Sequence, residues 1–218
     1  MKLLTAILAA MIVTAGVQAQ TTTNEFQQSP NEIIPDANPT GLFSTIVVSG
    51  ISGTIQNVTV TLDITNGWNG DLFAYLQFDS GYAVLLNRIG KSDTNSYGSG
   101  TSGMDVVFSD AAATDIHLSG GNEGDLLTGT WQPDGRETDP QLVVSSDPRT
   151  ALLESFNNLD PNGTWTLFVA DMASGYQSTL VSWGIVFTTV PEPTTIQFLA
   201  SFGGLAAVGA WWRRRKTF

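Results

Sequence analysis

With 218 residues, no cysteine and a formal net charge of −11, the chain has no means of forming disulfides, thiolate metal sites or a cysteine nucleophile, and its acidity argues against a phosphate-backbone partner. The acidity is concentrated in the middle, where residues 20–190 hold four Lys and Arg against nineteen Asp and Glu, a net −15. A glycine-rich, sparsely charged composition leaning to Val, Ile, Leu, Phe, Thr and Ser favours strands and turns, so all-β is the expected class.

Residues 1–19 open on Lys2, run through the apolar segment Leu3 to Val13 and finish Val17-Gln18-Ala19. The apolar run is shorter than the roughly twenty residues that span a bilayer. Small residues sit where a signal peptidase reads, which predicts a signal peptide cleaved after Ala19. Residues 20–32 are polar, rich in Thr, Asn and Gln, and lack an apolar period, so they read as a flexible leader, with the fold beginning near Ile33.

Phe43 to Val48 is the first candidate strand. Gln56 to Thr65 is the clearest one: Val58, Val60, Leu62 and Ile64 alternate strictly with Thr59, Thr61, Asp63 and Thr65, as in a half-buried strand. Leu72 to Phe78 and Tyr82 to Ile89, separated by Asp79-Ser80-Gly81, predict a hairpin, and Met104 to Phe108 a further strand. Residues 91–103 and 115–141 are polar and glycine-rich, with isolated apolar anchors at Leu126, Leu127 and Trp131, and read as extended loops. Thr164 to Asp171 turns Trp165, Leu167 and Val169 inward, and Leu180 to Thr188 offers Val181, Trp183, Ile185 and Phe187 on one face. Such strands without a long helical pattern imply a two-sheet β-sandwich over residues 33–190, with a jelly-roll or Greek-key path.

The last segment, 191–218, reads Pro191-Glu192-Pro193, then a helix over 195–212, then Arg213-Arg214-Arg215-Lys216. Its apolar stretch Ile196 to Trp212 covers about 26 Å as a helix, a marginal span that Gln197 and Ser201 weaken further. Trp211 and Trp212 sit at an aromatic-belt position, and the basic cluster belongs on the cytoplasmic side. Tripeptide, weak helix and basic terminus in that order resemble the PEP-CTERM sorting signal of Gram-negative bacteria. The resemblance implies recognition by an exosortase, cleavage near the motif and release to the cell envelope or extracellular matrix. An uncleaved tail anchor is the alternative.

Among candidate site residues, Asp63, Asp71 and Asp171 lie at strand positions from which carboxylates could converge on calcium, a cation that takes six to eight oxygen ligands. The competing reading is that they cap turns or face water. Asp134, Glu137 and Asp139 form a second loop cluster. His117, the chain's one histidine, follows Asp115 closely, and Gly100-Thr101-Ser102 echoes the surroundings of a serine nucleophile. Ser102 nonetheless sits in a Gly/Ser-rich loop, so His117 reads as a surface loop histidine. Asn57 and Asn162 satisfy the glycosylation pattern but read better as turn and strand-start residues.

Ile34-Pro35-Asp36, Ser44 to Gly50, Val58 to Asp63 and Asp71-Leu72 together resemble the opening half of the P domain (P/Homo B) of kexin-like and other subtilisin-type proprotein convertases. Phe156, Asn162-Gly163-Thr164-Trp165-Thr166-Leu167, Val169-Ala170-Asp171, Leu180-Val181-Ser182-Trp183 and Phe187 match its closing half in order and spacing; residues 91–150 match poorly. The resemblance implies a jelly-roll sandwich that is not itself catalytic but accompanies a serine endopeptidase, with calcium at Asp63, Asp71 and Asp171. Asn66, Gly175-Tyr176 and Phe78-Asp79-Ser80-Gly81 depart from the family pattern, and the second departure removes an acid from the calcium set.

The expectation is therefore an exported, non-catalytic surface or matrix protein with a binding or structural sandwich. It would be processed by signal peptidase and exosortase and attached to the membrane through its C-terminal helix until then. Exopolysaccharide and a separate surface protease are the candidate partners. The alternatives are serine-type endopeptidase activity by family association and a carbohydrate-active or carbohydrate-binding sandwich.

Overall fold

The computed structural model describes residues 20–190, so the expected signal peptide, Ala19, the Pro191-Glu192-Pro193 motif, the 195–212 helix and the basic tail all lie outside the described residues. Among the described residues there are ten strands: β1 (Thr22–Gln28), β2 (Glu32–Ile33), β3 (Asn38–Val48), β4 (Thr54–Asn66), β5 (Leu72–Phe78), β6 (Gly81–Asn87), β7 (Met104–Phe108), β8 (Leu127–Trp131), β9 (Gly163–Asp171) and β10 (Ser178–Val190). They form a six-stranded sheet of order β1-β10-β4-β7-β8, with β2 also on β10, and a four-stranded sheet of order β3-β9-β5-β6. The chain repeatedly crosses between the layers: β4, β7, β8 and β10 belong to one, β5, β6 and β9 to the other. Among the described residues, no helix is long and apolar enough to cross a membrane.

The period-two pattern becomes the core. Val58, Val60, Leu62 and Ile64 of β4 face Trp165, Leu167 and Val169 of β9 across one apolar cluster fed by both sheets. Trp165 stacks on Phe78 with ring centres 4.2 Å apart, and its indole N–H donates to the Pro161 carbonyl at 3.1 Å. Trp183 of β10 donates to Ser44 Oγ of β3 at 2.8 Å, a buried bond tying one sheet to the other. Each large aromatic thus brings its polar atom to a partner, the condition for burying it. On the outer face of the four-stranded sheet, Phe168 is covered by Phe43 and Tyr75, each 4.8 Å away.

Three elements differ from the sequence expectation. The segment 20–32 is no flexible leader throughout, because β1 runs antiparallel along β10 and Phe26 stacks on Phe187 at 5.7 Å. Its ladder is made by backbone groups and one apolar side chain, which leaves almost no periodic signal. Inside the expected loop 115–141, β8 pairs in parallel with β7. In β10, pairing jumps from Leu180↔Ile64 to Ser182↔Asp63, so Val181 is bulged and Leu180 takes the core position expected of Val181.

Candidate functional site

One end of the sandwich gathers the β4–β5, β6–β7 and β9–β10 connections. A short 3-10 turn, Asn69–Asp71, leads into β5. Asn69 is fully buried and its Nδ2 donates to Thr101 Oγ1 at 2.9 Å and to the Gly103 carbonyl at 2.7 Å. Gly70 N–H donates to Ser99 O at 2.9 Å. That approach requires glycine: a Cβ on Gly70 would stand 2.5 Å from Ser99 N and 2.7 Å from Tyr97 O.

The consequence is a rigid seat for aromatic rings. A cleft of about 250 Å³ is lined by Trp68, Tyr97, Gly98, Gly100 and Glu123. Tyr176 packs against Trp68 at 5.1 Å, while Tyr97 and Tyr176 stay 74% and 59% exposed. The loop carrying Glu123 is fastened to the cleft floor, with Gly124 N–H donating to Gly100 O and Ser102 N–H to Asp125 O, both at 2.9 Å. Sequence reading passed over this site because Trp68, Tyr97 and Tyr176 stand far apart in sequence, each in a loop with no periodic pattern.

The three aspartates expected to converge do not. Asp63 points away from the core, opposite Asp105 on β7, and burial together with that neighbouring charge pushes its carboxyl up. Asp71 and Asp171 do come together at the ends of β5 and β9, with Asp36 nearby. Arg88 already provides the cation there: its Nη2 lies 3.4 Å from Asp71 Oδ1 and its Nε donates to Gly70 O at 3.0 Å. Asp171 is fully buried, accepts from Ala173 N–H at 3.2 Å through Oδ1, and leaves Oδ2 without a partner. Burial, outweighing the Ala173 and Ala37 backbone N–H groups that favour the charged form, pushes this carboxyl up to about 6, with Asp71 and Asp36 adding to the rise. Asp71 also rises through burial, against the opposing pull of Arg88. Among the described residues no three His, Cys, Asp or Glu stand in metal-holding geometry.

His117 is not a surface residue. It is 1% exposed in a 3-10 turn, Ile116–Leu118, whose start is capped by Asp115 Oδ1 accepting from His117 N–H at 2.9 Å. Nδ1 meets Asp134 Oδ2 at 2.7 Å and Nε2 meets the Lys91 carbonyl at 2.9 Å. Both partners are acceptors, so the ring satisfies both when it carries two protons. Burial pulls its pKa down, but Asp134 and the Lys91 carbonyl outweigh that, and the net shift is upward. Asp134 further binds Arg136 Nη1 at 3.1 Å, and the same nitrogen lies 2.8 Å from Asp115 Oδ2. Of the expected second acid cluster, Asp134 thus belongs to this buried network, Glu137 accepts from Thr150 Oγ1 at 2.6 Å, and Asp139 accepts from Gln141 N–H at 2.8 Å. Asn162 behaves as a turn residue, its side chain exchanging two bonds with the Ile51 backbone at 2.9 and 2.7 Å.

The four basic residues of the described chain all turn inward. Besides Arg88 and Arg136, Lys91 Nζ donates to Val143 O at 3.2 Å, and Arg149 donates to Pro133 O and Gln132 Oε1 at 2.7 Å each.

No protein-family model and no curated protein matches the chain. Among solved structures, a serine protease of Aeromonas sobria superposes with a TM-score of 0.45 at 13% identity, over 79% of this chain and 28% of that one. A chain in the complex of Aeromonas sobria serine protease with the chaperone ORF2 gives 0.44 at 14% identity, over 78% and 27%. The chain spans a little over a quarter of the length of those proteins. At such identity and TM-score, the likeness carries nothing about activity.

Proposed function

We propose that the chain is an exported, non-catalytic surface module whose sandwich presents a binding site at its loop end. The observation that carries this reading is the cleft between the half-buried Trp68 and the exposed Tyr97, on a frame fixed by glycine contact and buried hydrogen bonds. Convergent apolar and polar groups in a concave site are the usual form of a ligand site. The histidine that would have served a serine relay has both ring nitrogens taken in the buried loop network. The Pro191-Glu192-Pro193 segment and the basic tail support export and exosortase sorting, and the resemblance of residues 33–190, outside the poorly matching 91–150, to the P-domain pattern supports an accessory role beside a separate surface protease.

Affinity capture from the host's envelope fraction tests the site. The full chain should retain a defined partner that the Trp68→Ala and Tyr97→Ala chains lose; equal retention by all three would remove the loop end as the binding site. Deletion of residues 191–218 tests sorting: the shortened chain should appear in the soluble secreted fraction, and a strain lacking exosortase should keep the full tail.

A further inference from the structure

We infer that the loop-end cleft takes the cationic side chain of an Arg or Lys from a basic segment of a partner polypeptide. The inference rests on the reading of the loop end as the binding site and assigns its ligand chemistry. Three features converge. Trp68 and Tyr97 line the cleft, and an ammonium or guanidinium over the face of a Trp or Tyr is attracted by the ring quadrupole. The rim is Glu123, the one charged side chain lining the cleft. Its stem lies over Gly100, where an added Cβ would meet Glu123 Cγ at 3.4 Å, so this acid stands at the edge of the cleft. The volume, about 250 Å³, suits one long side chain with its stem on the apolar wall and its charge at the rim.

The charge of the surroundings points the same way. Residues 20–190 carry a net −15, and their four cations are turned inward on carboxylates and carbonyls. The outward field near the cleft is therefore anionic, which draws cationic segments and repels both anionic polymers and a second copy of the chain. A neutral sugar would gain nothing from that field, although the rings alone would accept one.

The test uses the full chain in mild detergent and two fluorescent probes, a short peptide with two adjacent Arg residues and its Gln analogue, read by anisotropy. The Arg peptide should bind and the Gln peptide should not. Tyr97→Ala and Trp68→Ala leave net charge unchanged, and each should weaken Arg-peptide binding about tenfold. Glu123→Gln should weaken it less and reduce its salt dependence. Tyr97 is mostly exposed, so Tyr97→Ala should keep the wild-type melting curve even if Trp68→Ala does not. Equal binding of the Arg peptide by wild type and Tyr97→Ala would reduce the effect to diffuse charge attraction and overturn the inference. A Tyr97→Ala chain that loses an envelope partner or a neutral glucan but keeps the peptide would overturn the cationic assignment while leaving the loop end as a binding site. Loss of neither would remove both.

Discussion

Asp171 is the group whose removal should raise stability. It is fully buried, its Oδ2 has no partner, and Asp71 and Asp36 add repulsion. Asp171→Asn keeps the acceptor for Ala173 N–H and removes the charge. The carboxyl rises from 3.8 to about 6 in the folded chain. At about 1.4 kcal/mol per pH unit this bounds the cost near 3 kcal/mol, and relaxation brings the expected gain at pH 7.5 to about 1–3 kcal/mol. For a domain of this size that is a Tm rise of roughly 3–9 °C. Because the folded value lies above the unfolded one, the folded chain holds the extra proton between pH 4 and 6, and the wild type gains stability as pH falls through that window. The gap between variant and wild type should therefore be full above pH 6 and close by about pH 4. Thermal melts across this range, with EDTA and with millimolar calcium, provide the assay. Destabilisation by Asp171→Asn in EDTA would refute the reasoning; a calcium-induced rise confined to wild type would restore calcium to the Asp71–Asp171 pair.

His117→Gln should cost about 2–4 kcal/mol by leaving Asp134 short of a buried partner. Since the His117 pKa is raised on folding, its contribution is complete below about pH 6.5 and disappears as pH rises through the folded value, so wild-type Tm should fall over that interval while the variant stays flat. Gly70→Ala, driving a methyl into Ser99 N and Tyr97 O, should cost at least about 2 kcal/mol in urea unfolding and raise local hydrogen exchange around Tyr97. Ser44→Ala, which orphans the Trp183 indole N–H, should cost about 1–3 kcal/mol in the same denaturation assay.

The strands that read most clearly are those whose one face is core and other face solvent. β4 carries that alternation in its side chains, and a one-residue slip would expose its apolar face, so sequence and register specify each other. β1 and β8 were hidden for the opposite reason: they are held by backbone ladders on β10 and β7, and backbone bonds leave no mark on residue type. The bulge that replaces Val181 by Leu180 is equally silent, because both residues are apolar. In the candidate site, the pairing of Asp71 with Asp171 follows from their strand-end positions, whereas Asp63 lies apart from them because alternation sends its side chain to the outer face, opposite Asp105. His117 was misread because its burial depends on Asp134 and Lys91, residues that only the folded loops bring to it.

The placement of the four basic side chains links the stability of these loops to the character of the surface. Residues 88–150 contain little regular structure, so their order must come from tertiary bonds, and Arg88, Lys91, Arg136 and Arg149 supply them through carboxylates and backbone carbonyls. An Arg fork serves this purpose because one side chain can satisfy several carbonyls that lack a ladder partner. Nearly all the cationic charge of the domain is consumed in this way, while most of its acids remain outside. The pairing of these cations leaves the domain's surface charge anionic, while Gly90 N–H on His117 O at 2.9 Å and Ser99 N–H on Ile89 O at 2.7 Å tie the His117 turn to the segment that carries Tyr97. Loosening the loop network, as His117→Gln does, should weaken cleft binding along with stability, whereas Tyr97→Ala should weaken binding alone.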